Sequence, residues 1–273
     1  MPPTNNDLSG LNVLAAFAHP DDEGFGVGGT LAMLASRGAR VTLVCATNGD
    51  VGEISDPALA TPENLAQVRQ EELRQAMTVT GISDVRFLNY RDSGMDGPTD
   101  NSNPAPLNQA PAAQVSARLA EIIEEVRPRL VLTHDSTGAY GHPDHLAIHR
   151  YATQAFTQFQ GAGNEFLYYV CFPRSNFRRI WQQLKDMSIE SPFAGLDLEK
   201  IGSPDEAVTT VRDVTNYVDI KIASFDCHRT QMNPNGPFAQ LPKPILREIM
   251  CTEYFTLAHP ESAGEDSDLL AGL

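Results

Sequence analysis

Cationic side chains are scarce in this chain of 273 residues: 20 Lys and Arg face 35 Asp and Glu, a formal net charge of −15. A surface of that sign repels phosphate backbones and anionic lipid, which argues against nucleic-acid partners and polybasic membrane attachment. Cysteine is scarce as well. Cys45, Cys171, Cys227 and Cys251 are far apart and form no CxxC pair, so neither a zinc-thiolate centre nor a disulfide framework is indicated, and a reduced compartment suits them. Long apolar runs are missing too. Nothing approaches the roughly 18 residues of a membrane span, and MPPTNNDLSG has no basic stretch ahead of the first apolar run, as a signal peptide would. A cytoplasmic protein without membrane partners is expected. With 41% hydrophobic and 20% charged residues, the chain can bury a substantial core.

Leu11 to Ala18 is nearly all apolar, the mark of a strand buried on both faces of a parallel sheet. A glycine-rich stretch with Leu31, Met33 and Leu34 follows and stops at Gly38, which predicts a helix with a glycine end. Further strands are predicted over Arg40 to Thr47, Val85 to Tyr90, Leu130 to Thr133 and Glu165 to Phe172, with helices over Pro62 to Gly81 and Ala112 to Val126. Thr61 is placed to cap the first of these, although Asn64 stands where a full capping box carries Glu or Gln. This alternation predicts an α/β fold: a mostly parallel sheet with helices on both faces. Ser93 to Pro111 reads as a long loop. The expected lobes are 1–172 and a smaller C-terminal subdomain, 173–273, that completes the substrate pocket. Beyond Pro173 the pattern loosens to a helical stretch near Tyr217 to Arg229, a strand near Tyr254 to Leu257, and an acidic tail over 260–273 expected to fray.

Ligands of open parallel sheets bind beyond the carboxyl ends of the strands, so the loops there carry the chemistry. Four are unusually polar: His19-Pro20-Asp21-Asp22-Glu23, Asn48-Gly49-Asp50 through Glu53, Arg91-Asp92-Ser93-Gly94, and His134-Asp135 leading to Tyr140-Gly141-His142-Pro143-Asp144-His145. The first and last hold His and carboxylate groups suited to Zn²⁺ or Fe²⁺ at a site with three protein ligands and open positions. His19 and Asp22 are three residues apart, and His145 joins them only if the fold brings the loops together. A carboxylate left unligated beside such a metal suits a general base. Either motif alone is explained by helix capping; two His-Pro-Asp loops at one sheet edge are not.

These residues resemble a known family. Ala18-His19-Pro20-Asp21-Asp22-Glu23 is similar to the AHPDDE signature of the PIG-L/LmbE family of metal-dependent N-acetylglucosaminyl deacetylases, and Tyr140 to His145 is similar to its second motif. Thr47-Asn48-Gly49, Arg69, Glu72, Tyr90 to Met95, Lys221 and His228 extend the likeness, and the RDSGM element resembles the branch with the mycothiol-pathway deacetylase and the mycothiol-conjugate amidase. The resemblance implies a Rossmann-like lobe with a C-terminal subdomain, and a divalent metal, usually zinc, on His19, Asp22 and His145. It implies Asp21 as general base, His142 as a cationic acid or oxyanion stabiliser, and Tyr140 as an added donor. Arg69, Asp92 and Asn48 become candidates for substrate contacts, and Asp144 for a carboxylate orienting His142 or His145. Lys221 and His228 keep a structural alternative, and His134, His149 and His259 are read as structural.

One departure stands out. Gly24-Phe25-Gly26-Val27-Gly28-Gly29 follows the first motif where members of the thiol-pathway branch carry more polar residues that touch substrate. Its spacing does not fit a dinucleotide fingerprint. The implied activity is a zinc-dependent N-deacetylase acting on a small amino-sugar amide, with homo-oligomers allowed. The alternatives are an amidase for a larger acyl group and a non-catalytic metal-binding homologue.

Overall fold

In the computed structural model, the residues described are 7–95, 106–159, 161, 163, 165–191, 197–260 and 269–270. The first apolar run forms β1 (Asn12–Phe17), whose side chains alternate between two cores. Val13, Ala15 and Phe17 join one, while Leu14 and Ala16 join the other. Around it lie β2 (Arg40–Thr47), β3 (Asp84–Tyr90), β4 (Leu130–His134) and β5 (Phe166–Cys171), all parallel. The sheet order is β3-β2-β1-β4-β5, continued by β7 (Thr252–His259) and then β6 (Thr210–Asp213) in antiparallel pairing. Two strands from beyond residue 173 thus hydrogen-bond into the same sheet.

Helix α1 (Asp22–Ser36) and α2 (Leu65–Thr80) cover one face, through Leu31, Leu34, Leu73 and Met77. On the other lie α3 (Ala112–Val126) and α5 (Pro143–Gln158), through Val115, Leu119, Ile148 and Tyr151. Between β4 and α5 sits a one-turn helix, α4 (Gly138–Gly141). The C-terminal part adds α6 (Arg174–Asp186), α7 (Val218–Phe225), α8 (Pro237–Gln240) and α9 (Lys243–Met250). Three of these begin behind a proline or on one. Of the four, α7 falls inside the stretch that the sequence predicts as helical.

Helix α2 starts later than its predicted Pro62, yet Thr61 and Asn64 still act together: Asn64 Oδ1 accepts the Thr61 amide at 2.7 Å. The glycine run belongs to α1 and is a packing surface. A Cβ on Gly29 would come within 2.6 Å of Val214, and one on Gly28 within 3.2 Å of the Lys221 side chain. Close approach lets Glu253 reach the Gly29 and Thr30 amides at 2.8 and 2.9 Å while pairing with Lys221 at 2.7 Å, wholly out of solvent. The predicted helix over 217–229 ends at Phe225, so His228 lies past it. Most of the expected long loop, and most of the acidic tail, fall outside the described residues. Among those described, no helix is long and apolar enough to cross a membrane.

Candidate active site

Strand order reverses at β1, whose neighbours are β2 and β4. Loops leaving β1 and β4 therefore diverge, and the crevice between them is where an open α/β sheet binds ligand. His19 lies two residues past β1 and reaches across to His145, on the first turn of α5. The chain turns sharply in between: Asp21 sits at φ 121°, ψ −24°, a backbone conformation few non-glycine residues adopt and one that concentrates at functional sites.

His19 Nδ1 lies 3.1 Å from His145 Nε2, which lies 3.1 Å from Asp22 Oδ1, and Asp22 Oδ2 is 3.5 Å from His19 Nδ1. The tautomers make this triangle informative. His145 Nδ1 faces the Gly138 carbonyl at 3.1 Å, so that nitrogen carries the proton and Nε2 presents a lone pair. His19 Nε2 faces Asp144 Oδ2 at 3.3 Å and Asp92 Oδ1 at 3.5 Å, which likewise leaves Nδ1 as the acceptor. Two lone pairs and a carboxylate pointing at one spot repel unless a cation sits between them. Atoms about 2.0–2.1 Å from a shared tetrahedral ion stand about 3.3 Å apart, close to the separations seen. The donor set therefore fits a divalent metal, with Asp92 and Asp144 as the outer carboxylates that fix His19. More broadly, His19, His142 and His145, then Asp22, His134 and His145, then His19, Asp92 and Asp144 each bring three donor atoms within 4.8 Å.

Burial alone would lower the basicity of His19, but the Asp92, Asp144 and Asp22 carboxylates outweigh it and raise its affinity for a second proton. A bound cation takes that proton's place. Asp22 and Asp21, adjacent in sequence, are driven apart. Burial opposes the ionisation of Asp22, yet His145 and His134 hold it well below the usual carboxylate range. Asp21 goes up to about 6, because desolvation and the Asp22 charge outweigh Arg69, whose Nη2 is 3.0 Å away. That is the separation of roles expected of a ligand and a base. His142 is pushed down to about 2 by burial and by His19 and His145. Its Nδ1 accepts the Asp144 amide at 3.2 Å, capping α5 and leaving Nε2 as the donor. Burial also keeps the Tyr140 hydroxyl protonated. Its ring centre lies 5.3 Å from that of His145, on a turn whose Ala139 is forced to φ 59°, ψ −69°.

Several expectations change. His142 was expected as a cationic acid; its surroundings hold the imidazole neutral. Asp144 holds the His142 ring through its backbone amide rather than its carboxylate, which is fully buried and meets His19 and, at 2.9 Å, the Ser93 amide. Asp92 is 4% exposed, and its Oδ1 both faces His19 and accepts the Gly94 amide at 2.8 Å. Arg69, also buried, is committed to protein: it donates to the Gly49 carbonyl at 2.8 Å and the Pro20 carbonyl at 2.6 Å as well as to Asp21. Gly49 is required there, since a Cβ would lie 2.4 Å from Arg69 Nη1. Glu72 accepts from the Thr230 amide at 2.8 Å and from its hydroxyl at 2.6 Å. Asn48 stays at the rim, with Oδ1 accepting from Gln70 at 2.6 Å. His228 pairs with Glu23 at 2.8 Å, one layer beneath the cluster. His134, read as structural, stands in the site: it stacks on His145 at 4.1 Å and meets Asp22 Oδ2 at 3.2 Å. Its signal was its position at the carboxyl end of β4, beside β1.

Such a cluster at the switch point of a doubly wound sheet defines a class: α/β proteins with a buried His/Asp centre suited to a divalent cation. The family follows from the comparisons. The profile of PIG-L, described as GlcNAc-PI de-N-acetylase, matches residues 14–156, and the chain belongs to that family. It is 38% identical to a protein of Acidothermus cellulolyticus named 1D-myo-inositol 2-acetamido-2-deoxy-alpha-D-glucopyranoside deacetylase, over 96% of this chain and 95% of that one. A protein of the same name from Thermobifida fusca is also 38% identical, over 97% of this chain and 100% of its own length. Among solved structures, the N,N'-diacetylchitobiose deacetylase of Pyrococcus horikoshii matches with a TM-score of 0.60 and 23% identity, covering 90% of this chain and 82% of that one. A 4-carboxy-2-hydroxymuconate hydratase of Pseudomonas putida matches at 0.58 and 19%, covering 94% and 100%. These last two likenesses establish the fold, which evidently carries more than one reaction.

Proposed function

We propose that this protein is a zinc-dependent hydrolase that removes the N-acetyl group from an N-acetylglucosamine-type conjugate, a small molecule such as the 2-acetamido-2-deoxyglucopyranoside in its relatives' names. The observation that carries the reading is the His19, Asp22, His145 triangle with the carboxyl of Asp21 poised beside it. Two nitrogens and one carboxylate suit zinc, with Fe²⁺ as the second choice. When bound, such a cation acidifies a water molecule and polarises a carbonyl oxygen.

The chain's own residues divide the remaining work. Asp21, tuned to about 6, takes a proton from the attacking water and delivers it to the departing amine, which becomes neutral as the C–N bond breaks. His142 donates its Nε2 proton, and Tyr140 its hydroxyl, to the carbonyl oxygen as negative charge builds there. Both serve as neutral donors, so no protonated imidazole is needed. Arg69 positions Asp21 through its hydrogen bond and the two carbonyls it grips. Asp92 acts through His19, and Asn48 with the Arg91–Asp50 pair, 3.1 Å apart, forms the polar rim for a sugar. Residues 173–273 complete the pocket and the enzyme works in the cytoplasm.

Metal analysis of the purified protein, followed by an assay of free-amine release from N-acetylglucosamine conjugates with and without Asp21→Asn, tests this. Zinc near one equivalent and amine release that collapses in the variant are expected. A metal-loaded protein that releases no amine would leave the non-catalytic reading standing.

A further inference from the structure

Beside Asp22 and His145 the site opens into a cavity of about 260 Å³. Phe25, Phe172, Phe225 and Phe238 line it, and each is only half-buried. Phe25 is central: its ring centre lies 5.5 Å from Phe172, 5.8 Å from Phe225 and 5.4 Å from Phe238. Four stretches distant in sequence therefore turn aromatic faces toward one space, and Gly26 keeps the floor low, since a Cβ there would sit 3.1 Å from Val170. Partly exposed aromatic surface gathered in a concave site is the usual mark of a ligand's apolar portion. A cavity of about 150 Å³ holds benzene, whereas the methyl group of an acetamide needs little more room than the roughly 30 Å³ of a water molecule. This cavity exceeds both.

Position selects which part of a substrate enters. Along the sheet, the polar rim stands at the ends of β2 and β3, the His/Asp cluster at β1 and β4, and the aromatic cavity beyond β5. An amide held at the cluster has two substituents. If the sugar-bearing nitrogen points to the polar rim, the acyl group points into the phenylalanines.

We infer that the cavity is an acyl pocket and that the protein hydrolyses amino-sugar amides bearing apolar acyl groups, aliphatic or arylacetyl and of about four to eight carbons, faster than the acetyl amide. This rests on the amide-hydrolase reading above and names a second substrate class for the same centre. Water adds its oxygen to the acyl carbon, the C–N bond breaks, and the products are the carboxylate and the protonated amine; no redox partner is needed.

The test compares kcat/KM of the zinc-loaded protein on N-acetyl-, N-butanoyl-, N-hexanoyl- and N-phenylacetylglucosamine. Burial of each added methylene is worth about fourfold, so the four that separate hexanoyl from acetyl are expected to raise kcat/KM by about 250-fold. Phe25→Asn and, from a different element, Phe238→Asn should bring that ratio toward one, whereas Asp21→Asn should lower all four substrates together. Calorimetry with the product acids provides a readout independent of turnover: phenylacetate should bind at least about tenfold tighter than acetate, and Phe25→Asn should erase the difference. Acetyl turnover equal to or faster than hexanoyl overturns the acyl pocket and leaves the deacetylase reading intact. No turnover of any amide, with phenylacetate still preferred, overturns the hydrolase reading and the acyl assignment with it. Equal weak binding of both acids and no turnover overturns the pocket as well.

Discussion

The two flanks of the His/Asp cluster are built on opposite principles. On the side of β2 and β3 the wall is polar and fixed: Arg69 is locked by two carbonyls and Asp21, Asp92 by His19 and a backbone amide, and Arg91 by Asp50. On the side of β5, α7 and α8 it is phenylalanine, partly open and held by packing alone. Polar groups in a low-dielectric site must be satisfied by the protein before substrate arrives, or their desolvation is uncompensated. Apolar rings carry no such requirement and are free to wait uncovered. The contrast teaches that the two flanks offer a ligand opposite chemistries, one hydrophilic and one apolar, and the acyl-pocket proposal rests on that difference.

The centre between the flanks should be the most sensitive point. His145→Ala removes one corner of the triangle and is expected to abolish metal retention and lower amine release by about 10⁴-fold, measured by metal analysis and turnover on the same sample. Full zinc content in that variant would move the ligand set elsewhere. Next in size is Asp21→Asn on the polar flank. It should cost 10²–10⁴-fold, roughly the worth of a general base, while zinc content stays unchanged. The sign of the pH dependence follows from the raised carboxyl. Asp21 works only when ionised, so kcat/KM should climb about tenfold per pH unit below about 6 and level off above it. A bound cation moves the bend lower. Because His142 is held neutral, no falling limb belongs to it; an alkaline fall removed by His142→Gln would show it acting as a cation after all.

The apolar flank can be attacked through its scaffold. Lys221, on the helix that carries Phe225, pairs with Glu253, their side chains 2% and 0% exposed. Lys221→Met leaves a buried carboxylate without its cation, which costs about 3–5 kcal/mol. Chemical denaturation should show that loss. If stability fell by less than about 1 kcal/mol, Glu253 would be satisfied by the Gly29 and Thr30 amides alone, and the flank would be stiffer than its packing suggests.

Much of the polar flank was legible in the sequence, because its residues follow strands directly and strand ends are where an α/β sheet places chemistry. His19, Asp21, Asp22 and His145 could be read from two short motifs. What the residues actually touch could not. Arg69 looked like a substrate contact, and only the fold reveals that its reach ends on Pro20 and Gly49. Asp144 sits two residues from His142, and local spacing suggested that ring, yet the crossing of α5 behind β1 turns its carboxylate to His19. His134 opens the polar loop after β4 but lies outside the His-Pro-Asp motif, and only the fold turns its ring onto His145 and Asp22. The aromatic flank was illegible for a different reason. Phe25, Phe172, Phe225 and Phe238 come from four separate stretches, and neither the predicted strand that ends at Phe172 nor the predicted helix that holds Phe225 indicates that their rings share a wall.

The smallest expected effect lies at the outer edge of the polar flank. Asn48 is held from one side, its Oδ1 accepting from Gln70 at 2.6 Å, and it touches none of the cluster's donor atoms. Removing it should therefore take away substrate binding without disturbing the chemistry: Asn48→Ala is expected to raise KM for an N-acetylglucosamine conjugate by about three- to tenfold, the worth of one hydrogen bond, with kcat unchanged. Because Gln70 also reaches Asn89, at 3.1 Å, the wall should hold its shape in the variant. A fall in kcat at constant KM would mean that Asn48 acts in the transition state and that the polar flank extends into the catalytic machinery. An equal rise in KM for a simple N-acetylated alkylamine, which has no sugar to contact, would instead break the assignment of this flank to the sugar.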